Sequence, residues 1–403
     1  LFTKAPPWSP QSWQSFLSPQ LPIYHDGAKL ADVNSELAQL PALIPLAEIR
    51  DLKLEVARAQ RGDAFILQLG DCAESLHKAN AAVTLQKIAH LRFLASLLTA
   101  KFTKPIIIVG RIAGQYAKPR SNDFEEIQNI VLPVYRGDMI NSAEPTPLAR
   151  VAEPQRMLAA YHAAYQILTS INTANLSALA PRIYTSHEAL LLHYEQSLTR
   201  HDPSTNQWYN ASTHFPWIGE RTAHPDNAHI EYARGIINPL GIKIGTNCTP
   251  AKLVTLLAKL NPDNDVGRIV LIYRFGAQQI TQSLPPLLQV IKDQGLNVGW
   301  SCDPMHGNTI TSSHGKTRCL TDIISEFTKG LTIHAQMGIP LAGIHLEATH
   351  EDVYECINSP ADSSVKTAWS YTSLLDPRLN QQQSCHVIQL LGNALATINW
   401  KSL

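Results

Sequence analysis

Eight short runs of β-forming residues, most followed by a stretch of helical spacing, constrain this chain more than any other feature. They fall at 64–70, 105–110, 182–185, 209–218, 239–245, 268–275, 297–302 and 341–347. Val83, Leu85, Ile88, Leu91, Leu94 and Leu98 share a broad face over 82–99, and Met157, Leu158, Tyr161, Tyr165 and Leu168 do so over 157–171. Strands that alternate with helices pair in parallel. Eight of them, covered by a last helix, predict an α/β fold of the (β/α)₈ TIM-barrel type; an open doubly wound sheet would carry a G-x-G-x-x-G turn, which this sequence lacks. Thr249-Pro250 caps a helix that Asn261-Pro262 stops, Thr321 can cap one through Phe327, and Asn380 can cap the last.

Ahead of the first run, apolar spacing through Leu37, Leu40 and Ile44 is broken by Pro41 and Pro45, and a second run follows through Ile49, Leu52, Leu54 and Val56. The expected organisation is an N-terminal arm with short helices over 1–61 and a catalytic barrel over 62–403, forming one domain. With 44% hydrophobic and 16% charged residues, the chain can bury a large core. Its net charge is zero and no Lys/Arg stripe is present, so nucleic acid is not an expected partner. No apolar run reaches the roughly 18 residues of a membrane span, and no signal pattern opens the chain, so a cytoplasmic location is expected. Cysteines 72, 248, 302, 319, 356 and 385 contain no C-x-x-C pair, which argues against a disulfide framework or a zinc knot and suits a reducing compartment.

Barrel chemistry sits at the carboxyl ends of the strands. There the sequence places Cys72, Arg111, Glu220 with Arg221, Lys243, Arg274, His306 and Glu347, while Lys118, Arg120 and Ser121 follow the second strand. Any one of these cations alone reads as a solvated residue, but six aimed at one face of a neutral protein fit a substrate with several negative charges. Cys72 alone would be a small buried hydrophobe; the Gly-Asp before it and the Asp-Pro-Met-His-Gly around His306 favour exposure at turns. Cys302 is expected in the seventh strand against the barrel wall, and Trp217, Trp300 and Met305 are expected to pack. Cys72, His306, Glu347 and Asp376 together offer sulfur, nitrogen and oxygen ligands. That mixture suits a borderline divalent ion, Mn²⁺ first, with Co²⁺, Fe²⁺ or Zn²⁺ as alternatives, more than Mg²⁺ or Ca²⁺.

The segments GDCAES (70–75), VGRIAGQYAKPRS (109–121), YRGDMIN (135–141), YNASTHFPWIGERT (209–222), WSCDPMHGNT (300–309), GIHLEAT (343–349) and DPRLNQQQS (376–384) resemble those of the type II 3-deoxy-D-arabino-heptulosonate 7-phosphate (DAHP) synthases. The resemblance runs from about Ser12 to the last helix. It implies a (β/α)₈ enzyme that condenses phosphoenolpyruvate with D-erythrose 4-phosphate at the head of the shikimate route. By motif it puts the metal ligands on Cys72, His306, Glu347 and Asp376. Phosphoenolpyruvate contacts fall on Arg111, Glu220, Arg221, Lys243 and Arg274 with Lys118 beside them, and Arg120 and Ser121 match the sugar-phosphate region. Lys118, Glu220, Lys243 and His306 are the expected catalytic groups. Leu69, Thr246-Asn247-Cys248 and Ser142–Pro147 depart from the family pattern without removing an assigned side chain.

The chain also looks like the compact members found in secondary-metabolite clusters, such as those feeding phenazines, and lacks the long extension and extra helical pair that accompany feedback sites in longer members. It is therefore expected to supply secondary metabolism, to ignore aromatic amino acids and to form a homo-oligomer. An amino-DAHP synthase that takes an imino sugar phosphate, or a non-catalytic regulator of the pathway, are the alternative readings. A metal-dependent barrel hydrolase would carry an H-x-H after the first strand, and none is present.

Overall fold

The alternating runs close into a barrel of eight parallel strands in the computed structural model, which describes residues 7–127, 129–177, 179–312, 315–359 and 371–398. The strands are β1 (Phe65–Gly70), β2 (Ile106–Arg111), β3 (Ile183–Glu188), β4 (Phe215–Ile218), β5 (Leu240–Ile244), β6 (Ile269–Tyr273), β7 (Gly299–Cys302) and β8 (Gly343–Glu347). Each pairs with its sequence neighbour, and β1 closes on β8 with Gly70 opposite Glu347. Helices α3 (Ala81–Thr99), α4 (Gln155–Asn175), α6 (Ala228–Arg234), α7 (Pro250–Leu260), α8 (Ile280–Asp293), α9 (Leu320–Met337) and α10 (Gln381–Ala396) surround it.

The two-residue period of a strand sorts the side chains. Leu67, Leu69, Ile108, Ile242, Leu271, Ile344 and Leu346 join the helices in the outer core. Ile66, Ile107, Val109, Phe215, Trp217, Val270 and Ile272 fill the inside. The inner cluster continues into Leu52, Val56 and Ala59 of α2 (Leu46–Gln60), so this N-terminal helix plugs the amino end of the barrel. The prolines that interrupt the early pattern fall between α1 (Gly27–Gln39) and α2, where Pro45 is the N-cap. Along each inward row, apolar residues at the bottom give way to polar ones at the top: Ile66 then Gln68, Val109 then Arg111, Ile272 then Arg274.

Two expectations are corrected. The run 209–218 is two elements: Gln207–Asn210 pairs antiparallel with Thr199–Asp202, beside α5 (Leu192–Ser197), and only Phe215–Ile218 enters the barrel. The buried polar run Asn210, Ser212 and Thr213 separates them. Thr321 caps nothing, since α9 starts one residue earlier after Cys319 and continues to Met337. Thr249 and Asn380 do cap their helices, the latter in a full capping box with Gln383. Among the described residues, no helix is long and apolar enough to cross a membrane.

Helix α10 packs on α3 and α9 through Val387, Ile388, Leu391 and Leu395. Leu391→Ala is expected to lower the unfolding free energy by roughly 2–5 kcal/mol, and Asn380→Ala by about 1 kcal/mol. Urea unfolding followed by far-UV circular dichroism checks both.

Candidate active site

Parallel strands of matched register end at one level, so their last inward residues meet. Arg111, Lys118, Arg120, Ser121, Glu220, Arg221, Lys243, Arg274, His306 and Asp376 line a single cleft at the carboxyl ends, with water-accessible space of about 170 Å³. Cys72 and Glu347 lie beneath it, both fully buried. Every site residue expected from the sequence is therefore brought to this one place. Eight Lys and Arg side chains line the cleft against three carboxylates, so the concentration of positive charge is local in a neutral chain.

Glu347 is the centre of the floor. Its Oε1 accepts from Arg111 Nη2 at 2.8 Å and Lys118 Nζ at 2.9 Å, and its Oε2 accepts from Arg318 Nη1 at 2.6 Å. Burial alone would raise its pKa, but the cations around it, Lys118, Arg318 and Arg111 among them, hold it well below the usual carboxylate range. One ligand atom each from Cys72, Glu347 and Asp376 lie within 4.8 Å of one another. His306 adjoins this group through Glu347: its Nε2 is 3.2 Å from Glu347 Oε1. Its Nδ1 is 2.8 Å from Asp303 Oδ2, an acceptor, so Nδ1 carries the ring proton and the Nε2 lone pair faces a carboxylate oxygen. A lone pair and a carboxylate in contact call for a cation, and with the neighbouring thiol and carboxylate the donor set fits a divalent ion. The Lys118 ammonium also reaches this cradle, 3.0 Å from Cys72 Sγ and 3.2 Å from Asp376 Oδ2.

The expectation that Cys72 is exposed at a turn is corrected. Arg378 folds the 376–380 segment over it by bonding Asp71 Oδ1 at 2.7 Å and Glu355 at 2.9 Å, and Lys87 holds the other Asp71 oxygen at 2.9 Å. Burial, helped by Glu347 and Asp376, pushes the Cys72 thiol up to about 12.

The cations are set by pairing. Arg111 stands on the Asp71 and Cys72 carbonyls and packs over Trp217 at 5.1 Å; its other nitrogen meets His345 Nε2, whose Nδ1 reaches Gln68 Oε1 at 2.8 Å. Lys243 Nζ bonds Asp303 Oδ2 at 2.6 Å, and burial lowers its pKa to about 8 although Asp303 works against the shift. Arg274 pairs with Glu220 and donates to the His306 carbonyl at 3.2 Å. Arg221 donates to Ser121 Oγ at 2.8 Å, and Arg120 to the Tyr135 carbonyl. Cys302, as expected, faces the outer core, and Trp300 and Met305 pack there. Trp217 does more than pack, since it also forms cleft wall.

Some site residues escaped the sequence reading. Glu188 ends β3, three residues past the 182–185 run of β-formers; its Oε1 has no hydrogen-bond partner and burial raises its pKa. Arg318 and Lys316 come from a hairpin, Thr309–Ser312 with Gly315–Arg318, whose short polar strands look like loop. Asp303 had a usable signal, a carboxylate three residues before His306. It accepts from the Met305 and His306 N–H groups at 3.1 and 3.2 Å.

Comparison with known proteins gives one coherent result. The model of the Class-II DAHP synthetase family matches residues 8–181 and 168–391. Three curated relatives align over nearly their whole lengths. A phospho-2-dehydro-3-deoxyheptonate aldolase of Streptomyces coelicolor is 34% identical over 439 residues, covering 96% of this chain and 98% of its own. One of Neurospora crassa is 35% identical over 458 residues, covering 96% and 94%. A probable phospho-2-dehydro-3-deoxyheptonate aldolase of Pseudomonas fluorescens is 37% identical over 370 residues, covering 91% and 92%.

Two outcomes are expected of the cradle. Loss of an outer partner of a metal site costs about 10–100-fold in affinity, so Cys72→Ser should weaken Mn²⁺ binding beyond about a hundredfold while the protein stays folded. Because the buried thiol titrates far above neutrality, each ion bound should release its proton, and affinity should rise about tenfold per pH unit between pH 6 and 8.5. Calorimetric titration of Mn²⁺ in buffers of different ionisation enthalpy reads both, and a pH-independent affinity would remove Cys72 from the ligand set.

Proposed function

Since this chain belongs to the Class-II DAHP synthetase family, we propose that the cation-lined cleft at its barrel mouth is where two anionic substrates are held and joined. The protein is a 3-deoxy-7-phosphoheptulonate synthase: it condenses phosphoenolpyruvate with D-erythrose 4-phosphate and water to give DAHP and phosphate. The observation that carries the site assignment is the convergence of eight Lys and Arg side chains on one cleft, directly above a thiol and carboxylate cluster that His306 adjoins through Glu347.

DAHP synthases are metal-dependent, and Cys72, His306, Glu347 and Asp376 are the residues that would hold the ion here. When bound, such an ion supplies Lewis-acid polarisation of a carbonyl oxygen; Mn²⁺ is our choice, on ligand type. The residues of the chain do the rest. Arg111, Lys243 and Arg274, with Lys118 beside them, bind the carboxylate and phosphate of phosphoenolpyruvate. Arg120 and Ser121 hold the phosphate of the sugar, and Arg221, bonded to Ser121, links the two anion sites. With both substrates fixed, C3 of phosphoenolpyruvate bonds to the aldehyde carbon, water adds to C2, and phosphate leaves as the C2 carbonyl forms. Glu220, tied to Arg274, and Glu188, with one unpartnered oxygen at the cleft wall, are the carboxyls placed to orient that water. Holding the reactants in register accounts for much of the rate.

We further propose that the product feeds a secondary pathway. Between Arg111 and Gln155 the described residues hold one two-stranded hairpin, Phe124–Ile127 with Ile130–Pro133, and no helical pair, so this segment offers little for an effector site.

Phosphate release from phosphoenolpyruvate, assayed with erythrose 4-phosphate and then with its imino analogue, should give turnover only with the former. Arg274→Gln and Lys243→Gln each remove a charge-assisted hydrogen bond, a loss of about 1.5–3 kcal/mol, and should raise the KM for phosphoenolpyruvate about tenfold or more; Arg274→Gln should leave folding little changed, whereas Lys243→Gln also strands the buried Asp303 and should lower stability. An unchanged KM in both variants would overturn the assignment. Millimolar Phe, Tyr and Trp, singly or combined, should leave the rate of the wild-type enzyme unaltered at saturating and at near-KM substrate; inhibition by any of them would overturn the secondary-pathway reading.

A further inference from the structure

Two loops of the barrel mouth carry different parts of the site. The segment after β6 carries Arg274, and the turn after β7 carries His306. They touch through glycines: a Cβ on Gly307 would stand 2.4 Å from the Gly276 nitrogen, and one on Gly276, at φ +83°, would stand 2.8 Å from the Gly307 oxygen. Such an approach admits no side chain on either residue. Behind the contact lies a fully buried carboxylate on α9. Glu326 Oε1 accepts the backbone N–H of Phe275 at 2.8 Å and of Gly276 at 2.9 Å. Its Oε2 accepts from Asn308 Nδ2 at 2.7 Å.

The orientation of the Asn308 amide follows from chemistry. The Ala277 N–H is only a donor and lies 2.9 Å from Asn308 Oδ1, so that atom is the oxygen. Nδ2 then faces Glu326 Oε2 and the Pro304 carbonyl, the latter at 2.8 Å, both of them acceptors. All three partners of Glu326 are N–H groups, two from the Arg274 loop and one from the His306 turn. Lys329, also on α9, holds the Arg274 loop alone, donating to the Ala277 carbonyl at 2.7 Å.

Resting on the reading of Arg274 and His306 given above, we infer that Glu326 is a positioning residue for the reaction, a buried clamp that fixes the anion-binding loop after β6 against the ligand-bearing turn after β7. Neither Glu326 nor Asn308 lines the cleft, so their effect passes through the loops they hold. The clamp makes a specific demand on paired chemistry. Glu326→Gln turns an amide NH₂ against the Asn308 NH₂ or leaves a backbone N–H unpaired. Asn308→Asp sets two carboxylates face to face. The double substitution restores one donor and one acceptor across the gap, at the cost of turning a carboxylate oxygen toward the Pro304 carbonyl in place of its donor.

The experiment compares full-length wild type, Glu326→Gln, Asn308→Asp, the double variant and Arg274→Gln, all well below their unfolding midpoints. Each is assayed for phosphate release and for hydrogen exchange in segments 274–277 and 304–308. Both single variants are expected to raise the KM for phosphoenolpyruvate about tenfold and to speed exchange in both segments, whereas the double variant returns KM to within about threefold of wild type. Coupling of that sign is not expected if the residue merely stabilises the fold. Single variants with wild-type KM overturn the inference. So does a double variant that fails to fold, or that folds with the losses of the singles added together. Where a single variant does not fold, the double alone decides by the same criterion. A wild-type KM in Arg274→Gln would sink the role of Arg274 while leaving the exchange result to judge the clamp, so the two failures can be told apart.

Discussion

The site depends on one buried carboxylate. Glu347 has no exposure, and two guanidinium groups and an ammonium converge on its two oxygens. An ionised carboxyl in such a place is tolerated only when it is paired on every side, and removing one partner would leave a charge stranded in low dielectric. The cations are equally dependent on it. Arg111 and Lys118 belong to the cleft, Arg318 comes from a hairpin outside the barrel, and Glu347 fixes all three relative to Cys72 and His306. The positions of strands β2 and β8, of the loop after β2 and of the hairpin after β7 are thus joined at one point.

That arrangement follows from the inward rows of the barrel. Each row alternates with an outward row packed on helices, and the helices demand apolar residues along the whole strand, which is why Leu67, Leu69, Ile344 and Leu346 read so plainly as core. The inward rows are released from that demand near the top. There Gln68, His345 and Ser186 form a polar layer, Gln68 donating to Ser186 Oγ at 3.0 Å, between the apolar plug below and the charges above. The barrel and the strand-end chemistry were legible in the sequence because period, punctuation and residue type agreed, whereas nothing in the early helical pattern showed that α2 plugs the barrel. Arg111, Lys243, Arg274 and Glu347 each end or nearly end an apolar run, and an ionisable residue in that position has few structural uses.

Other parts were illegible for physical reasons. Residues 209–218 carry β-formers at both ends, Tyr209 and Phe215–Ile218, yet between them Asn210 and Ser212 belong to a buried polar network with Glu195 and His187 that ends one strand before the next begins. Pairing across sequence separations that no local pattern records decides that break. Glu188 is hidden because the β-forming residues stop at Thr185, while the strand itself runs on through Ser186 and His187 to a polar inward end. Arg318 and Glu326 lie on elements outside the strand ends altogether. Nothing in Ile323, Ile324, Ser325, Glu326, Phe327 distinguishes a solvated helix glutamate from a buried one until α9 is seen to turn that position toward the barrel mouth.

A cleft so rich in cations would be expected to repel itself open, and the pairings explain why it does not. Arg274 rests on Glu220, Lys243 on Asp303, Lys118 on Glu347 and Asp376, and Lys316 on Asp376. Each acid offsets part of this positive charge, so the mouth holds its shape while cations remain in excess. These pairs differ in depth, and depth decides their fate when anions arrive. Asp303 and Glu347 are fully buried and cannot be solvated if abandoned, so Lys243, Arg111 and Lys118 keep them as partners and offer a ligand their remaining donors. Glu220 and Arg274 are both about a quarter exposed, and an exposed pair in water is worth little. Arg274 can therefore trade its carboxylate for a substrate anion at small cost, while the deeper cations, locked in place, supply the fixed geometry against which the exchange occurs.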